Sequence, residues 1–303
     1  MADVAWDALG RELAGFLGER LRARELMSAH TTIGVGGPAR WMALPSTPAE
    51  VARIVRRARA HGAPYVAVGK GSNLIVRDGG YDGVVIQLAG NLTRVRINAR
   101  TVVAEAGASF AALARKMTRM GRTGLEFGIG IPGSVGGAVR MNAGAFGGEV
   151  KDVLAGVRLV DDTGRLRAVR AAEIPFSYRH AGIDPAAIVV AATFRCPPGR
   201  VRQDVYDRSM ARKNTQPIWE RSFGSTFVNP PGRYAAEMIE GCGLKGTRRG
   251  GAMISDVHAN FIINVEGRAT AADVEALIAL ARERVREQYG VELKTEVIVI
   301  GNR

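Results

Sequence analysis

Cysteine and histidine are scarce in this sequence, and neither forms a pattern that would bind a metal. The two cysteines of the 303-residue chain, Cys196 and Cys242, are far apart and form no Cys-x-x-Cys motif. We therefore expect free thiols, as in a reducing compartment, and neither a disulfide framework nor a zinc site. The four histidines form no His-Glu-x-x-His motif, so no metal site is predicted.

Long apolar runs are also lacking. No stretch of about 18 consecutive apolar residues occurs, so no membrane-spanning helix is predicted. The N-terminal residues place no basic segment ahead of an apolar run, so we expect no signal peptide and a cytoplasmic protein. The apolar content of 47% and the charged content of 23% are ordinary for a globular protein, and 303 residues suffice for two or three domains.

Charge is abundant and of one sign, with a formal net charge of +13. Of the 42 basic residues, 36 are arginine and six are lysine, and they are scattered without a basic run or interleaved aromatic residues. This distribution favours small anionic ligands, because arginine binds phosphate and carboxylate through two parallel hydrogen bonds. A basic nucleic-acid-binding protein is the alternative from a different class.

The pattern of apolar residues predicts an α+β chain, in which strands and helices do not alternate regularly. The segment from Pro197 to Gly199 is the clearest break and predicts a domain boundary there. Predicted helices cover residues 4–23, 47–60, 109–120, 201–213, 233–241 and 271–289. Predicted strands cover residues 40–44, 65–68, 74–76, 84–88, parts of 94–105 and 153–195, 260–264 and 297–300.

Glycine is concentrated in three segments, Val68–Leu74, Gly128–Ala138 and Met141–Glu149. Glycine lets the backbone approach a ligand closely, so these segments suggest main-chain N–H groups directed at a large anionic ligand. The first segment is not a Rossmann fingerprint, because Leu74 replaces the third glycine and a strand follows. It is not a Walker A loop, because Pro64 and Gly71 occupy the positions of the required glycine and hydroxyl residue. A dinucleotide such as FAD, bound outside a Rossmann fold, would suit these loops.

Nine motifs in one order resemble the UDP-N-acetylenolpyruvoylglucosamine reductase family. They cover nearly the whole chain, which makes the resemblance specific although each motif alone is weak. The motifs are Thr31–Pro38, Gly69–Leu74, Gly130–Val139, Met141–Gly144, Ser177–Arg179, Gly224–Pro230, Gly243–Gly246, Ser255–Phe261 and Glu296.

The resemblance implies an FAD-binding domain of the vanillyl-alcohol-oxidase (PCMH) type over residues 1–197, with lobes of about 1–88 and 89–197. An α+β substrate-binding domain would follow over residues 198–303, with its last strand returning to the active site. The implied reaction uses NADPH and non-covalent FAD to reduce the enolpyruvyl ether of UDP-N-acetylglucosamine, with hydride added to C3 and a proton to C2. The product would be UDP-N-acetylmuramate, a peptidoglycan precursor needed for cell wall biogenesis, cell shape and cell division.

The resemblance also assigns site residues. Arg179 and Glu296 match the family positions that stabilise negative charge on the substrate carboxylate, and Ser225 matches the proton donor. Taken singly, these would be a surface arginine, an edge-strand carboxylate and a turn serine. The positions matched to FAD binding are Gly69, Lys70, Gly71, Ser72, Asn73, Ile131, Pro132, Gly133, Ser134, Gly136, Gly137, Asn142 and Gly144. His258 and Asn260 are expected to support the core of the substrate domain.

The sequence departs from the family pattern in three places. Val228 stands where the family often has lysine, which removes one cationic contact expected near the substrate diphosphate. Arg221–Phe223 replaces a smaller segment, and His180–Ile183 lacks the usual serine and phenylalanine. The length resembles the compact type II of the family, and a monomer without nucleic-acid or membrane partners is expected. Another PCMH-type flavin oxidoreductase is the alternative enzyme, although no histidine or cysteine lies in the glycine segments to tether a flavin.

Overall fold

A computed structural model describes residues 4–211 and 215–303, and the chain divides into two compact units. The first unit contains the chain up to Glu25, Arg40–Lys70 and Gly83–Ala211. The second contains Leu26–Ala39, Gly71–Asp82 and the chain from residue 212 onward. Each unit has its own cluster of buried apolar side chains.

Helices and strands are mixed along the chain, which confirms the predicted α+β class. The helices are α1 (Trp6–Leu17), α2 (Pro48–Ala60), α3 (Phe110–Arg119), α4 (Val135–Arg140), α5 (Val150–Val153), α6 (Gln203–Ala211), α7 (Ala235–Gly241) and α8 (Ala271–Tyr289). The strands up to residue 105 are β1 (Leu21–Leu26), β2 (Pro38–Ala43), β3 (Tyr65–Val68), β4 (Leu74–Val76), β5 (Tyr81–Gln87), β6 (Val95–Ile97) and β7 (Thr101–Glu105). The later strands are β8 (Gly144–Ala145), β9 (Gly148–Glu149), β10 (Leu154–Val160), β11 (Leu166–Arg170), β12 (Phe176–Ser177), β13 (His180–Ala181), β14 (Ile188–Arg195), β15 (Ser222–Ser225), β16 (Arg248–Arg249), β17 (Ala252–Ile254), β18 (Phe261–Asn264) and β19 (Ile298–Ile300).

Two sheets form the framework of the first unit. One has the order β1-β2-β5-β3, with β3 and β5 parallel, and most of its residues belong to this unit. The other has the order β11-β10-β14-β7-β6, and its neighbouring strands are antiparallel. Helix α2 begins as the sequence predicts, because the hydroxyl of Thr47 accepts a hydrogen bond from the Glu50 amide at 3.2 Å and Pro48 occupies the first turn.

The second unit is built on the antiparallel sheet β15-β18-β17-β16 and the long helix α8. The start of α8 is fixed by reciprocal hydrogen bonds between Thr270 and Asp273, at 3.0 and 3.1 Å. Asp78 adds two more bonds, accepting from the amides of residues 271 and 272. Gly290, with φ of 66°, ends the helix in the left-handed conformation. Within residues 4–211 and 215–303, no helix has the length and apolarity needed to cross a membrane.

The structure differs from the sequence prediction at the N-terminal helix, which was predicted to reach residue 23. It ends at Leu17, because Gly18 adopts φ of 56° and residues 21–26 form strand β1. The helix predicted over residues 201–213 is confirmed as Gln203–Ala211, and its last two predicted positions lie outside the described residues. The glycine-rich segment after residue 125 is more ordered than loops alone, since it contains a 3₁₀ turn at Glu126–Gly130 and helix α4.

The domain boundary at residues 197/198, with two lobes before it, stays a prediction. The two compact units are interleaved along the chain, with residues 26–39 and 71–82 grouped with the C-terminal part. This grouping has a simple cause, because β4 pairs in parallel with β19, with Leu74 opposite Ile298. Pairing between segments more than 200 residues apart leaves no signal in local composition.

Candidate active site

The glycine loop after β3 is divided between the two units. Its first residues, Gly69 and Lys70, belong to the first unit. A side chain at Gly69 would collide with the hydroxyl of Ser134, so a glycine is required there by protein packing. The side-chain amide of Gln87 donates to the Gly69 carbonyl at 2.8 Å. The Gln87 Oε1 atom is buried, and no donor to it exists in the described part of the chain. A buried acceptor beside this loop suits a ligand that carries hydroxyl or N–H groups.

The rest of this loop, residues 71–73, belongs to the second unit. Gly71 has φ of 62°, and an added Cβ would collide with the His30 carbonyl. The Asn73 side chain donates to the main-chain oxygen of Glu296 at 3.0 Å, and the Asn73 carbonyl accepts from the Ile298 amide at 3.1 Å. Asn73 therefore fixes the chain segment that carries Glu296. Ser72, which lies between Gly71 and Asn73 in the loop, is partly exposed.

The second glycine segment leads into α4, and Ser134 caps this helix by accepting from the Gly137 amide at 3.4 Å. The amides of Val135 and Gly136 donate to the carbonyls of residues 108 and 106, at 2.8 and 2.9 Å. Among the described residues, the amides of Gly133 and Ser134 have no hydrogen-bond acceptor. These two amides are therefore the ones in this segment that can bind an anion. Of the two preceding residues, Ile131 is partly exposed and Pro132 is exposed.

The glycines of α4 differ in their surroundings. A Cβ at Gly136 would lie 2.9 Å from the Cβ of Ala106, so this glycine allows α4 to pack closely on the chain after β7. A Cβ at Gly137 would meet only the Ser134 hydroxyl, at 3.5 Å, and Gly137 is exposed. The side of α4 at Gly137 is thus open to a ligand.

Asn142 and Gly144 follow α4 in a short hairpin formed by β8 and β9. A Cβ at Gly144 would lie 2.6 Å from the Gly148 carbonyl, so the hairpin itself requires this glycine. The buried Asn142 side chain donates to Glu149 Oε2 and to the Ser177 carbonyl, both at 3.0 Å, and accepts from the Lys151 amide at 3.0 Å. Its hydrogen bonds within the protein thus use both of its donor hydrogens.

Arg179 lies in the two-residue turn between β12 and β13, which are joined by the pair Ser177 and His180. Its φ of 59° is left-handed, which is unfavourable for a residue with a side chain. The guanidinium carbon lies 4.7 Å from the centre of the Tyr178 ring. Burial opposes ionisation of Glu149, but hydrogen bonds from Lys151 and Asn142 and the charge of Arg179 outweigh it and hold the pKa of the Glu149 carboxyl below its usual value.

In the second unit, Ser225 ends strand β15 after an irregularity in its pairing with β18. Ser222 lies opposite Ile263 and Ser225 opposite Phe261, so an extra residue is accommodated between them. Gly224, with φ of 83°, supplies the left-handed conformation that such a bulge needs. A bulge turns the following side chain away from the regular alternation, and here that side chain is Ser225.

Ser225 and Glu296 come close together through the next residues of the two segments. The Glu296 amide donates to the Thr226 carbonyl at 2.9 Å, and Phe227 forms a bridge with Thr295. Asn260 holds this segment from the other side, donating to the Phe227 carbonyl and accepting from its amide, each at 2.9 Å. This geometry agrees with the expectation that Asn260 supports the core.

Lys294 belongs to the same pairing, since its carbonyl accepts from the Val228 amide at 2.9 Å. Lys294 is therefore the cross-strand neighbour of Val228, the position at which the family that this sequence resembles often has a lysine.

The structure thus places the predicted site residues in two groups, one in each unit. Asn142 and Arg179 are linked through Ser177 and Glu149 in the first unit, and Asn73, Ser225 and Glu296 lie on neighbouring segments of the second.

Sequence reasoning missed Gln87 and Glu149. The available signal for Gln87 was a polar residue inside the apolar run from Val84 to Leu88. Within the described ranges, no cluster of three or more histidine, cysteine, aspartate or glutamate side chains could hold a metal ion.

Comparison of this chain with known proteins first defines its class. Residues 39–170 match the family described as FAD binding domain. The fold also resembles a VAO-type flavoprotein from Myceliophthora thermophila, with a TM-score of 0.51 at 14% identity, covering 65% of this chain and 48% of that one. These similarities define the class of protein as a PCMH-type flavoprotein.

Further matches identify the particular family. Residues 216–300 match the family described as UDP-N-acetylenolpyruvoylglucosamine reductase, C-terminal domain. Reductases of that name from Heliobacterium modesticaldum and Geobacillus kaustophilus are 44% and 41% identical, over 92% and 96% of this chain and 90% and 97% of theirs. The crystal structure of the Thermus caldophilus reductase is similar with a TM-score of 0.79 and 37% identity, covering 92% of this chain and 99% of that one. The chain belongs to the UDP-N-acetylenolpyruvoylglucosamine reductase family.

Proposed function

We propose that this chain uses NADPH and FAD to reduce the enolpyruvyl ether of UDP-N-acetylglucosamine to UDP-N-acetylmuramate, a step of peptidoglycan precursor synthesis. The observation that carries the proposal is 44% identity to a reductase of this name over 92% of the chain. The family matches include both the FAD-binding part and the C-terminal part.

The chain has groups that fit FAD. The Gly133 and Ser134 amides have no acceptor in the described chain and suit the pyrophosphate, and the open side of Gly137 admits a ligand close to the backbone. The buried Gln87 Oε1 suits a hydroxyl or N–H donor. When bound, FAD supplies the hydride that is added to C3 of the enolpyruvyl group.

Arg179 and Glu296 are proposed to stabilise the charge that the reaction drives into the substrate carboxylate. Addition of hydride at C3 turns the vinyl carboxylate into an enediolate-like species, whose oxygens carry more charge than in the substrate. A guanidinium fork binds such oxygens through two hydrogen bonds, and its attraction increases as the charge develops. Glu296 can contribute only by sharing a proton with the carboxylate, since an ionised carboxylate would repel it.

Ser225 is proposed to deliver the proton to C2. A serine hydroxyl is a weak acid, but the enediolate-like carbon is strongly basic, so placement matters more than acidity. The bulge at Gly224 and the hydrogen bonds of Asn260 to Phe227 support the proposal, because they fix the backbone on either side of Ser225. Protonation at C2 completes the lactyl ether of the product.

We further propose that the protein is a monomer that acts on a free nucleotide sugar in the cytoplasm, where both UDP-sugar and NADPH are available. Light scattering at micromolar concentration tests the monomer. Measuring the binding of duplex DNA over a range of salt concentrations tests the alternative that the chain is a basic nucleic-acid-binding protein. Steep salt-dependent DNA binding by a colourless protein that takes up no flavin would support a nucleic-acid-binding protein instead.

The proposal as a whole is tested with purified protein and FAD under anaerobic conditions. NADPH should bleach the flavin absorbance, and the enolpyruvyl substrate should restore it with formation of UDP-N-acetylmuramate. The Glu296→Gln variant should be bleached normally but reoxidised much more slowly. Failure of the substrate to reoxidise the wild-type protein, together with reduction of its oxidised flavin by an oxidisable alcohol in place of NADPH, would indicate another PCMH-type oxidoreductase.

A further inference from the structure

Asn142 occupies a position at which its orientation is fixed by three hydrogen bonds. Its Nδ2 atom faces two acceptors, Glu149 Oε2 and the Ser177 carbonyl, and its Oδ1 atom faces the Lys151 amide. If the Nδ2 and Oδ1 atoms of Asn142 exchanged places, the oxygen would face two hydrogen-bond acceptors and the NH₂ group would face the donating amide of Lys151. The side chain has no exposed surface, and its φ of 40° is one that asparagine tolerates better than most residues.

The Asn142 bond to Ser177 reaches the residue directly before the turn that carries Arg179. This turn has only Tyr178 and Arg179 between the paired residues Ser177 and His180, so a shift of Ser177 must move Arg179. The left-handed φ of Arg179 shows that the turn is held against a local preference, which requires support from its surroundings. Asn142 supplies such support from a different element.

Glu149 is the second member of the network. It accepts from Asn142 and forms an ion pair with Lys151 at 2.8 Å, and its charge interacts favourably with Arg179. Asn142 therefore holds both the backbone that begins the turn and the carboxylate that attracts the guanidinium. Neither contact leaves an Asn142 donor for a flavin.

We infer that Asn142, together with Glu149, is a positioning residue for Arg179, and that Asn142 is not a contact of the cofactor. The inference rests on the proposed function in one respect, since Arg179 must act on the substrate for its position to matter. It predicts that disturbing Asn142 harms the half-reaction with substrate and spares FAD binding and reduction by NADPH.

The test uses Asn142→Asp in the full-length protein with FAD. Aspartate has the same shape and tolerates the same φ, but its carboxylate would face Glu149 and the Ser177 carbonyl without a hydrogen to donate. We expect an unchanged FAD dissociation constant, unchanged bleaching by NADPH and a reoxidation rate lowered by about tenfold to 100-fold, because a misplacement of about 1 Å can cost that much. Weaker FAD binding with normal reoxidation would overturn the inference and make Asn142 a cofactor contact.

A double-mutant cycle with Arg179→Ala separates positioning from a general structural effect. If Asn142 acts through Arg179, Asn142→Asp should add little to the loss already caused by Arg179→Ala. Full additivity would overturn the inference. Normal reoxidation of Arg179→Ala itself would instead contradict the proposed role of Arg179, which keeps the two failures distinct.

Glu149→Gln provides the second variant if Asn142→Asp does not fold. Glutamine can still accept from Asn142, but it removes the negative charge that interacts favourably with Arg179. Its expected loss in reoxidation is smaller than that of Asn142→Asp, and it too should disappear in the Arg179→Ala background. A loss of equal size in both backgrounds would show that Glu149 does not act through Arg179.

Discussion

Two adjacent glycines of helix α4 allow a test that separates packing from ligand binding. In Gly136→Ala the new methyl would lie 2.9 Å from the Cβ of Ala106, whose side chain cannot move away. Such overpacking costs about 1–3 kcal/mol. Alanine restores about 1 kcal/mol of helix propensity, so the free energy of unfolding should fall by up to about 2 kcal/mol. In Gly137→Ala the methyl would meet only the Ser134 hydroxyl at an ordinary 3.5 Å, so stability should stay the same or rise by up to about 1 kcal/mol.

The prediction for FAD is the reverse. If the flavin approaches the exposed side of Gly137, the added methyl should weaken FAD binding by about tenfold or more, as expected for about 1.4 kcal/mol of lost contact. Urea unfolding of the apoprotein and quenching of FAD fluorescence measure the two effects separately. Gly15→Ala in α1 is the matched control, because a Cβ there meets nothing within 4 Å and should raise stability without changing FAD affinity. Unchanged FAD affinity in Gly137→Ala would refute the placement of the flavin beside this helix.

Three further predictions concern other elements. Gly224→Ala would force alanine into a φ of 83°, and should lower stability by about 1–2 kcal/mol and slow flavin reoxidation by moving Ser225; a normal reoxidation rate in stopped flow would argue against the bulge as its support. Hydrogen bonds from Arg20 lower the pKa of Glu50 from 4.5 to about 2, so Glu50→Gln should cost about 1 kcal/mol at neutral pH in this partly exposed pair. That cost should vanish as the pH falls from 4.5 to about 2, because the Glu50 carboxylate of the wild type becomes protonated. Urea titrations at several pH values measure this, and a difference in unfolding free energy that stays constant with pH would contradict the prediction. Lys294→Ala should raise the KM for the substrate several-fold with little change in kcat, and an unaltered KM would exclude Lys294 as a contact of the diphosphate.

Local sequence rules predicted the elements whose ends are set by nearby residues. Helices α2 and α8 were predicted with nearly their observed bounds, and the structure shows that Thr47 and Thr270 cap them through residues three positions away. Helix α1 was predicted too long because periodicity continues past Gly18, although the backbone of Gly18 leaves the helical region. The order inside the glycine segment was missed because α4 depends on hydrogen bonds from its amides to residues 106 and 108.

The candidate site shows the same division between local and distant causes. Ser225, Glu296 and Arg179 were predicted through a resemblance, since nothing in their own neighbourhoods marks a turn serine or a strand carboxylate as reactive. The pairing of Thr226 with Glu296 joins residues 70 positions apart and could not be read from spacing. Asn142 was predicted through the resemblance as a position of FAD binding, whereas its partners Glu149 and Ser177 emerge only when β8, β9 and β12 are in place.

The glycines also divide into classes that the sequence does not distinguish. Gly69, Gly71, Gly136 and Gly144 are required by contacts within the protein, because a Cβ would strike neighbouring atoms. At Gly137 an added Cβ would meet only the Ser134 hydroxyl, so packing within the described chain does not require a glycine there. The density of glycine therefore indicated a backbone with special requirements, and which of these glycines face the cofactor stays a prediction.

The central claim is that this chain's own side chains complete the second half-reaction after hydride transfer, and Ser225→Ala tests it most directly. Anaerobic stopped flow should show that NADPH bleaches the flavin of this variant at nearly the wild-type rate. Mixing the reduced variant with the enolpyruvyl substrate should then give almost no reoxidation and no UDP-N-acetylmuramate. Equal losses in both half-reactions, or normal reoxidation by the substrate, would contradict the assignment of Ser225 as the proton donor.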